Sequence, residues 1–365
     1  MDLESLTDLY LKRREEREKK IRDFYDGRRS WLILQRPAIF VWGECNSVED
    51  ICANNFRQME SWLSFPWTDE LPHLQPWIGT GVYASAFGCA YLWRKGEAPD
   101  TRTRFQRIEE VRNIGRPDWR KSPIMRMVLE TIDLLKERSR GRFPISTTDP
   151  QSPYDTATLV LDTSEFFTAC YTEEATVKEF LGVITDLFIE FTRVQQEHIG
   201  RDLVSTPGHS IPSLPGLGSV TLSDDNLAVA SPLINERFSL PADRRIAEEF
   251  GGVFIHSCGT FDATMRLMRP YGVTGIDCAI HRVCDPTPNS PEAVRAAVAG
   301  SGIPLKVRFG PDIESVLRDI PRIAGRGIRI MVDIQRGEQD DAAYAALAER
   351  NYRQASEALQ AVYGG

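Results

Sequence analysis

The sequence lacks the features that mark membrane and secreted proteins. No apolar run approaches the ~20 residues that span a bilayer. The N-terminus, MDLESLTDLYLKRREEREKK, has no uninterrupted apolar core of the kind found in signal peptides. We therefore expect a cytoplasmic protein with no membrane contact.

Cysteines are few and show no pairing pattern. The chain has 7 cysteines among 365 residues, with no CxxC pair and no disulfide-framework spacing. Free cysteine behaves as a small hydrophobic residue. Reduced thiols, most of them buried, are therefore predicted.

Nucleotide and nucleic-acid signatures are also missing. No GxGxxG follows an early strand, and no GxxxxGK[ST] is present. The net charge is −8, and basic residues are interspersed with acidic ones. This charge pattern argues against nucleic acid and anionic membranes as partners. A small molecule or another protein is the expected partner.

The chain divides into an N-terminal extension or cap over residues 1–75 and a regular part over residues 76–365. In the extension, apolar residues at helical spacing predict a helix packed along one stripe, with REEREKK as its solvated face. PAIFVWGE is the strand candidate of this region. The stripe residues are Leu6, Leu9, Tyr10, Ile21 and Phe24.

From residue 219 onward, short β-rich apolar runs alternate with helices at the interval of a βα unit. Two helices begin at Ser-Pro steps, at residues 231–232 and 290–291, with Ser as N-cap and Pro at the first helical position. This alternation predicts parallel strands joined by right-handed crossovers. An open doubly wound sheet and a closed (β/α)8 TIM barrel both satisfy it.

Polar residues gather where the predicted strands end. Such side chains converge on one face of a (β/α)8 enzyme, where active sites form. Alternatively, each is a loop residue or helix cap without a catalytic role. The residues are Asp149, Asp224, Asp225, His256, Cys258, Asp277, Cys278, Arg308 and Asp333.

The segment VFIHSCG carries His256 and Cys258 two residues apart. Residues i and i+2 of a strand point to the same side, so both side chains can face the barrel mouth. Imidazole nitrogen and thiolate are good zinc ligands. The alternative is a buried histidine that is hydrogen-bonded to a backbone carbonyl, beside a small apolar cysteine.

Several segments resemble the uroporphyrinogen decarboxylase superfamily, and within it the corrinoid-dependent methyltransferase branch more than the haem-pathway decarboxylase. The resemblance covers roughly residues 75–360. It rests on PISTTDPQSPYDTATLVLD and on LSDDNLAVASPLINERFSLPADRRIAEEFGGVFIHSCGT, with PWIGTGVYASAFG as a further match. The resemblance implies a (β/α)8 barrel.

In the methyltransferase branch the HxC pair binds zinc together with a distant cysteine near the last strand. His256 and Cys258 match the first two ligands, but no cysteine follows Cys284. We predict Cys278 as the third ligand. Further alternatives are Asp225, Asp333, Glu338, His281 and Cys284, or an abandoned metal site.

The resemblance therefore implies a methyltransferase that moves a methyl group between a small methylated compound and a separate corrinoid protein, assisted by Zn2+. The corrinoid would arrive on a partner, because the DxHxxG signature of corrinoid-binding domains is absent. Asp224 or Asp225 would orient the substrate or protonate the departing atom, and His209 would shuttle protons. The predicted substrate-binding residues are Asp149, Gln151, Tyr154 and Trp77, and a cage of Trp42, Trp62, Trp67 and Trp77 would suit a quaternary ammonium or an aryl methyl ether.

Two other functions remain open at this point. One is a metal-free decarboxylase or lyase on a small substrate, and the other is a non-catalytic barrel that has lost its site. Uroporphyrinogen itself is disfavoured, because the aspartates at the barrel mouth would repel a polyanion, although Arg36 lies where a substrate-binding arginine is expected. The N-terminal region could also support a homodimer.

Overall fold

The computed structural model describes residues 1–37, 45–94, 96–200, 203–205, 209, 211–337 and 340–364. Helices surround a core of short parallel strands. The helices are α1 (Leu3–Tyr25), α2 (Val48–Ser64), α3 (Val82–Ala86), α4 (Pro123–Ser139), α5 (Pro153–Val160), α6 (Thr163–Thr172), α7 (Glu174–Ile199), α8 (Pro232–Phe250), α9 (Asp262–Met265), α10 (Pro291–Val298), α11 (Ile313–Ile323) and α12 (Asp341–Tyr363).

The strands are β1 (Trp31–Gln35), β2 (Ala90–Leu92), β3 (Asp100–Arg102), β4 (Ile145–Ser146), β5 (Val204–Ser205), β6 (Val220–Ser223), β7 (Val253–His256), β8 (Val273–Ala279), β9 (Leu305–Phe309) and β10 (Ile330–Ile334). Six of them form one sheet in the order β1-β10-β9-β8-β7-β6. Every neighbouring pair in this sheet is parallel. The antiparallel β2-β3 hairpin lies outside it.

Isolated parallel bridges extend this sheet toward a closed ring. Gln151 pairs with Ser223, which joins β6 to the segment after β4, and Leu74 pairs with Ile145 of β4. Asp69 accepts a hydrogen bond from the backbone of Ile33 in β1, so the chain before Leu74 contacts the opposite edge of the sheet. The α/β architecture predicted for a TIM barrel is confirmed, although no strand ladder within the described ranges joins β1 to Leu74.

The predicted Ser-Pro helix starts are confirmed. The Ser231 hydroxyl accepts a hydrogen bond from the backbone N–H of Ile234, and Ser290 caps α10 in the same way. Two long helices precede residue 200, α4 and α7, and α7 ends at Ile199, directly before Gly200. The segment DATMRLMRPY holds a single short α-helix, because α9 ends at Met265.

The N-terminal extension contributes a strand to the barrel. WLILQ forms β1 and pairs along its whole length with β10, whereas the sequence suggested a strand over PAIFVWGE. Pro37 is the one residue of PAIFVWGE that lies within the described residues. The division at residue 75 stays a prediction, and β1 lies on the N-terminal side of it.

Helix α1 packs along the predicted apolar stripe, with Leu6, Tyr10, Ile21 and Phe24 buried. The prediction that REEREKK is a solvated face is wrong at Arg17, whose side chain is fully buried. The Arg17 guanidinium donates to two backbone carbonyls beyond α2. A buried guanidinium needs such partners because an unpaired buried charge is very costly.

None of the helices in the described part of the chain is long and apolar enough to cross a bilayer.

Three carboxyl groups are buried together behind β6. Asp155 accepts hydrogen bonds from the backbone N–H groups of Asp225 and Asn226 at 2.8 and 2.9 Å. The Ser239 hydroxyl lies between the carboxyl groups of Asp224 and Asp243. Burial raises the pKa of Asp243 to about 8. At neutral pH this carboxyl therefore keeps a proton in the folded protein and loses it in the unfolded chain.

Replacement of Asp243 by Asn should make stability less dependent on pH. Because the folded pKa of Asp243 exceeds the unfolded value of about 3.9, the free energy of unfolding falls as pH rises from about 4 to about 8. Asp243→Asn removes the part of this fall that Asp243 contributes and should be more stable than wild type by about 1–3 kcal/mol at pH 9. Urea unfolding at pH 6 and pH 9 measures the difference.

The matched control is Asp186→Asn, whose carboxylate is exposed and pairs with Arg245. This variant should follow the wild-type pH dependence. Equal pH dependence of Asp243→Asn and wild type would contradict the expected proton on Asp243.

Candidate active site

Charged side chains from neighbouring strands meet inside the barrel. Register pairs His256 with Asp277, and Asp277 with Lys306, across β7, β8 and β9. Lys306 is fully buried, and its Nζ lies 3.3 Å from Asp277 Oδ1 and 2.8 Å from Asp333 Oδ2. Arg308 Nε lies 3.4 Å from Asp277 Oδ1. The aspartates at these strand ends are therefore neutralised by cations on adjoining strands.

His256 is held by this network. Its Nδ1 lies 2.6 Å from Asp277 Oδ2. Burial opposes ionisation of Asp277, but the charges of Lys306 and Arg308 outweigh it and keep the pKa of this carboxyl well below its ordinary value. Burial also lowers the pKa of His256, with a contribution from nearby His209. A neutral His256 that donates Nδ1–H to an ionised Asp277 keeps the Nε2 lone pair available for a metal.

Cys258 lies beside this nitrogen. Its Sγ is 3.7 Å from His256 Nε2. The chain turns at Gly259, whose φ is +75° and where a Cβ would lie 2.5 Å from the Cβ of Ala228. Only glycine fits this turn without strain. In the HxCG sequence, the His256 and Cys258 side chains therefore lie on the same side of the strand end, and Gly259 forms the turn that follows.

Asp225 completes a group of three ligand atoms. Its Oδ1 accepts the backbone N–H of Cys258 at 2.7 Å and lies 3.9 Å from His256 Nε2. The ligand atoms of Asp225, His256 and Cys258 all lie within 4.8 Å of one another. Tetrahedral zinc with ordinary bond lengths separates its ligand atoms by about 3.3–3.7 Å. These three residues therefore fit a zinc ion after small side-chain adjustments, with one position left open.

The predicted third ligand, Cys278, is not part of this group. Asp277 points into the barrel, so its neighbour Cys278 points to the opposite face of β8, where it is fully buried. Asp333 is engaged by Lys306 and Arg36. Glu338 lies outside the described residues. The structure therefore favours Asp225 among the alternatives to a distal cysteine.

The two remaining alternatives also have other contacts. His281 Nδ1 accepts the backbone N–H of Val283 at 3.1 Å. The Cys284 thiol donates to the backbone carbonyl of Phe309 at 3.3 Å. Neither belongs to a metal-compatible group within the described residues.

Burial and the Asp225 carboxylate raise the pKa of the Cys258 thiol to about 12, although Arg308 opposes the effect. Cys258 alone is therefore a weak nucleophile at neutral pH. A bound divalent cation would displace its proton and hold the thiolate.

His209 lies against His256. The two rings stack with centroids 3.7 Å apart and an angle of 11° between planes. His209 Nε2 is 3.1 Å from Asp149 Oδ1. Burial opposes ionisation of Asp149, but the charge and hydrogen bond of His209 lower its pKa, and Trp77 also donates to this carboxylate. His209, Asp149 and Trp77 are thus together beside the candidate ligands, and their roles stay predictions.

His209, His256 and Asp277 form a second group of close ligand atoms. Imidazole lone pairs lie in the ring plane, so the lone pairs of two stacked rings lie in nearly parallel planes and do not converge on one ion. Asp277 is also already bonded to His256 Nδ1. This second group is therefore a hydrogen-bonded support and a poor metal site.

Many of these side chains, including His256, Cys258, His209 and Asp277, border one cavity of about 500 Å³, whereas Asp225 and Lys306 are not among its lining residues. Its wall combines charged groups, amides, imidazoles, thiols and apolar side chains. Its lining includes Arg36, Glu70, Asp149, Asp277 and Arg308; Asn54, Asn55, Gln58, Gln75 and Gln335; His73, His209 and His256; Cys45, Cys258 and Cys284; and Ile51, Met59, Trp62, Trp77 and Val283.

Five predicted site residues do not line this cavity, and two of them, Asp225 and Cys278, are described above. Asp224 is fully buried with Asp155 and Asp243 behind β6. Gln151 is used for backbone pairing with Ser223. Tyr154 is fully buried because α5 packs its ring against Phe166 and Phe167.

The predicted tryptophan cage is not formed by the described residues. Trp62 and Trp77 line the cavity. Trp67 instead packs on Tyr352, with ring centroids 6.2 Å apart. Trp42 lies outside the described residues.

Sequence reasoning missed two charged groups of the site. Lys306 interrupts the apolar strand LKVRF, and an inward-facing lysine in a buried strand needs partners, so its presence was a usable signal. Glu70 lies in an irregular segment, two residues before Pro72, and carried no comparable signal. The expected repulsion of anions at the mouth is also wrong, because Asp277 and Asp333 are neutralised and Asp224 is remote.

Comparisons with known proteins agree with this fold. The uroporphyrinogen decarboxylase (URO-D) family profile matches residues 79–205, a range that ends before the HxC pair. No curated protein matches the sequence at a significant level. A methyltransferase from Methanosarcina mazei superposes with a TM-score of 0.63 at 14% identity, over 93% of this chain and 96% of that chain. The chain is thus similar to the uroporphyrinogen decarboxylase family over residues 79–205 and shares its overall fold with this methyltransferase.

Proposed function

We propose that this protein is a zinc-assisted methyltransferase that moves a methyl group from a small methylated compound to the cobalt of a separate corrinoid protein. The observation that carries the proposal is the convergence of Asp225, His256 and Cys258, the last two of which line a cavity large enough for a small substrate. The hydrogen bond from His256 to Asp277 supports it, because metal-binding histidines are commonly oriented by such a carboxylate.

The ligand set also suits the chemistry. Asp225, His256 and Cys258 would hold the ion and leave a coordination position for the heteroatom that bears the methyl group. When bound, zinc supplies Lewis acidity at that heteroatom. Asp277 keeps the His256 ring in place, and Arg308 lies next to both Asp277 and the Cys258 thiol.

The other cavity residues bind and orient the donor. Trp62 and Trp77 offer apolar surface for its organic part. His209 Nε2 and Asp149 Oδ1 lie 3.1 Å apart beside the ligands. His209 has a φ of +50°, an uncommon value for a residue with a side chain, and such strain is often found at functional sites.

Metal removal tests this function. Purified protein is expected to contain about one zinc per chain. It should transfer methyl groups from a panel of ethers, thioethers and methylamines to cob(I)alamin, with methylcobalamin measured by its absorbance. Dialysis against a chelator should lower the rate at least about 100-fold, and added zinc should restore it. Full activity without metal would contradict the zinc assignment.

A metal-free decarboxylase or lyase is the second candidate. Arg36 and Arg308 both line the cavity, and guanidinium groups suit a carboxylated substrate. Release of carbon dioxide from small carboxylic acids by the zinc-free protein, with no methyl transfer, would favour this candidate.

A further inference from the structure

Glu70 is a carboxyl group of the cavity wall that no step above uses. Its side chain borders the same cavity as His256 and Cys258. The residue is 5% exposed, and its Oε2 has no hydrogen-bond partner within the described part of the protein. A buried carboxyl oxygen without a partner is costly, so a functional reason is expected.

The backbone that carries Glu70 is firmly anchored. The buried Arg17 guanidinium donates to the Glu70 carbonyl oxygen at 2.6 Å. The neighbouring Asp69 accepts hydrogen bonds from Lys20 and Tyr352 at 2.8 and 2.7 Å. These contacts hold the backbone at Glu70 in place, and none of them uses the Glu70 carboxyl group.

The charges around Glu70 leave its proton transferable. Burial raises the pKa of Glu70 to about 7, because the opposing effect of Arg36 is incomplete. Asp333 raises this pKa further, whereas Lys306 and Arg17 lower it. A carboxyl group that titrates near the working pH is suited to general acid catalysis.

The other groups of the site are less suited to give up a proton. Asp225 accepts the Cys258 backbone N–H and belongs to the candidate metal group. His209 lies within hydrogen-bonding distance of Asp149. Arg36 and Arg308 line the cavity as cations and disfavour a quaternary ammonium donor, whose departing amine needs no proton.

We propose that Glu70 is the general acid that protonates the departing heteroatom of the methyl donor, which is an uncharged methyl ether or thioether. The assignment rests on the methyl transfer proposed above. The bond between the methyl carbon and the heteroatom breaks with its electron pair left on the heteroatom, which takes the Glu70 proton. The cobalt(I) corrinoid supplies the electron pair of the new carbon–cobalt bond and is thereby oxidised to cobalt(III).

The test compares Glu70→Gln with wild type on donors that differ in leaving-group basicity. The leaving group of anisole is phenolate, which is basic. The leaving group of para-nitroanisole is para-nitrophenolate, which is only weakly basic. Dimethyl sulfide and tetramethylammonium complete the panel, with cob(I)alamin as acceptor. Glu70→Gln should lose about 100-fold in kcat with anisole and less than about 10-fold with para-nitroanisole. The wild-type rate with anisole should fall above about pH 7, and the Glu70→Gln rate should not.

His209→Gln is the matched comparison, because its loss should be similar for both anisoles. Unchanged zinc content in Glu70→Gln would exclude an indirect effect on the metal site. The assignment to Glu70 is overturned if Glu70→Gln shows equal losses on both anisoles, or if tetramethylammonium alone is a donor for the wild type. Neither of these two results contradicts the proposed methyltransferase function. Absence of transfer from every donor in the wild type overturns the proposed function and this assignment with it.

Discussion

Cys258→Ala should purify without zinc and lose methyl transfer to cob(I)alamin. Removal of one of three protein ligands leaves Asp225 and His256 alone, and two ligands hold zinc weakly. We expect zinc content to fall from about one per chain to below about 0.1, and the transfer rate to fall at least about 100-fold. Metal analysis by mass spectrometry and the methylcobalamin assay measure the two effects.

Cys284→Ala is the matched control for this substitution. Cys284 is also a thiol on the cavity wall, but it donates to the Phe309 carbonyl and belongs to no metal-compatible group of described residues. Its alanine variant should keep the zinc content of the wild type. Equal zinc in wild type and Cys258→Ala, or loss of zinc in Cys284→Ala alone, would reject the assigned ligand set.

Lys306→Met should be the most destabilising single substitution among the charged residues of the barrel interior. Lys306 is fully buried between Asp277 and Asp333. Methionine keeps much of the side-chain volume but removes the charge. Breaking a buried ion pair by removing one partner typically costs about 3–5 kcal/mol. Urea unfolding at neutral pH should show a loss of this size.

Lys178→Met provides a comparison, because Lys178 is half-exposed and pairs with Glu174 one helical turn away. Its loss should stay below about 1 kcal/mol. Adding Asp333→Asn to Lys306→Met should recover part of the stability, since it removes one of the two buried carboxylates that lose the lysine. A Lys306→Met protein as stable as wild type would mean that the network contributes nothing to folding.

The sequence predicted those parts of the fold that depend on local chemistry. Ser231 and Ser290 cap helices through hydrogen bonds to residues three positions later, which any reader of the sequence can anticipate. The alternation of strands and helices after residue 219 predicted the parallel sheet, because it can be read from the local order of apolar and polar residues. Spacing also put His256 and Cys258 on one side of β7, and the structure agrees.

The other parts of the site depend on partners that are distant in sequence. Cys278 and Asp277 are adjacent, so only one of them could face the cavity, and strand alternation gives no indication of which one. Asp277 is the one selected, because Lys306 and Arg308 lie on the neighbouring strand. Likewise, Asp224 and Tyr154 follow strand ends but turn into the surrounding helices, a direction that depends on tertiary packing.

The buried arginine of α1 makes the N-terminal helix a support for the cavity. Arg17 bridges the carbonyl oxygens of Phe65 and Glu70, at the two ends of the segment between α2 and the cavity wall. A version of this protein that begins after residue 26 would keep every candidate metal ligand but lose this brace. A change at the N-terminus therefore acts on the Glu70 side of the cavity wall from a distance.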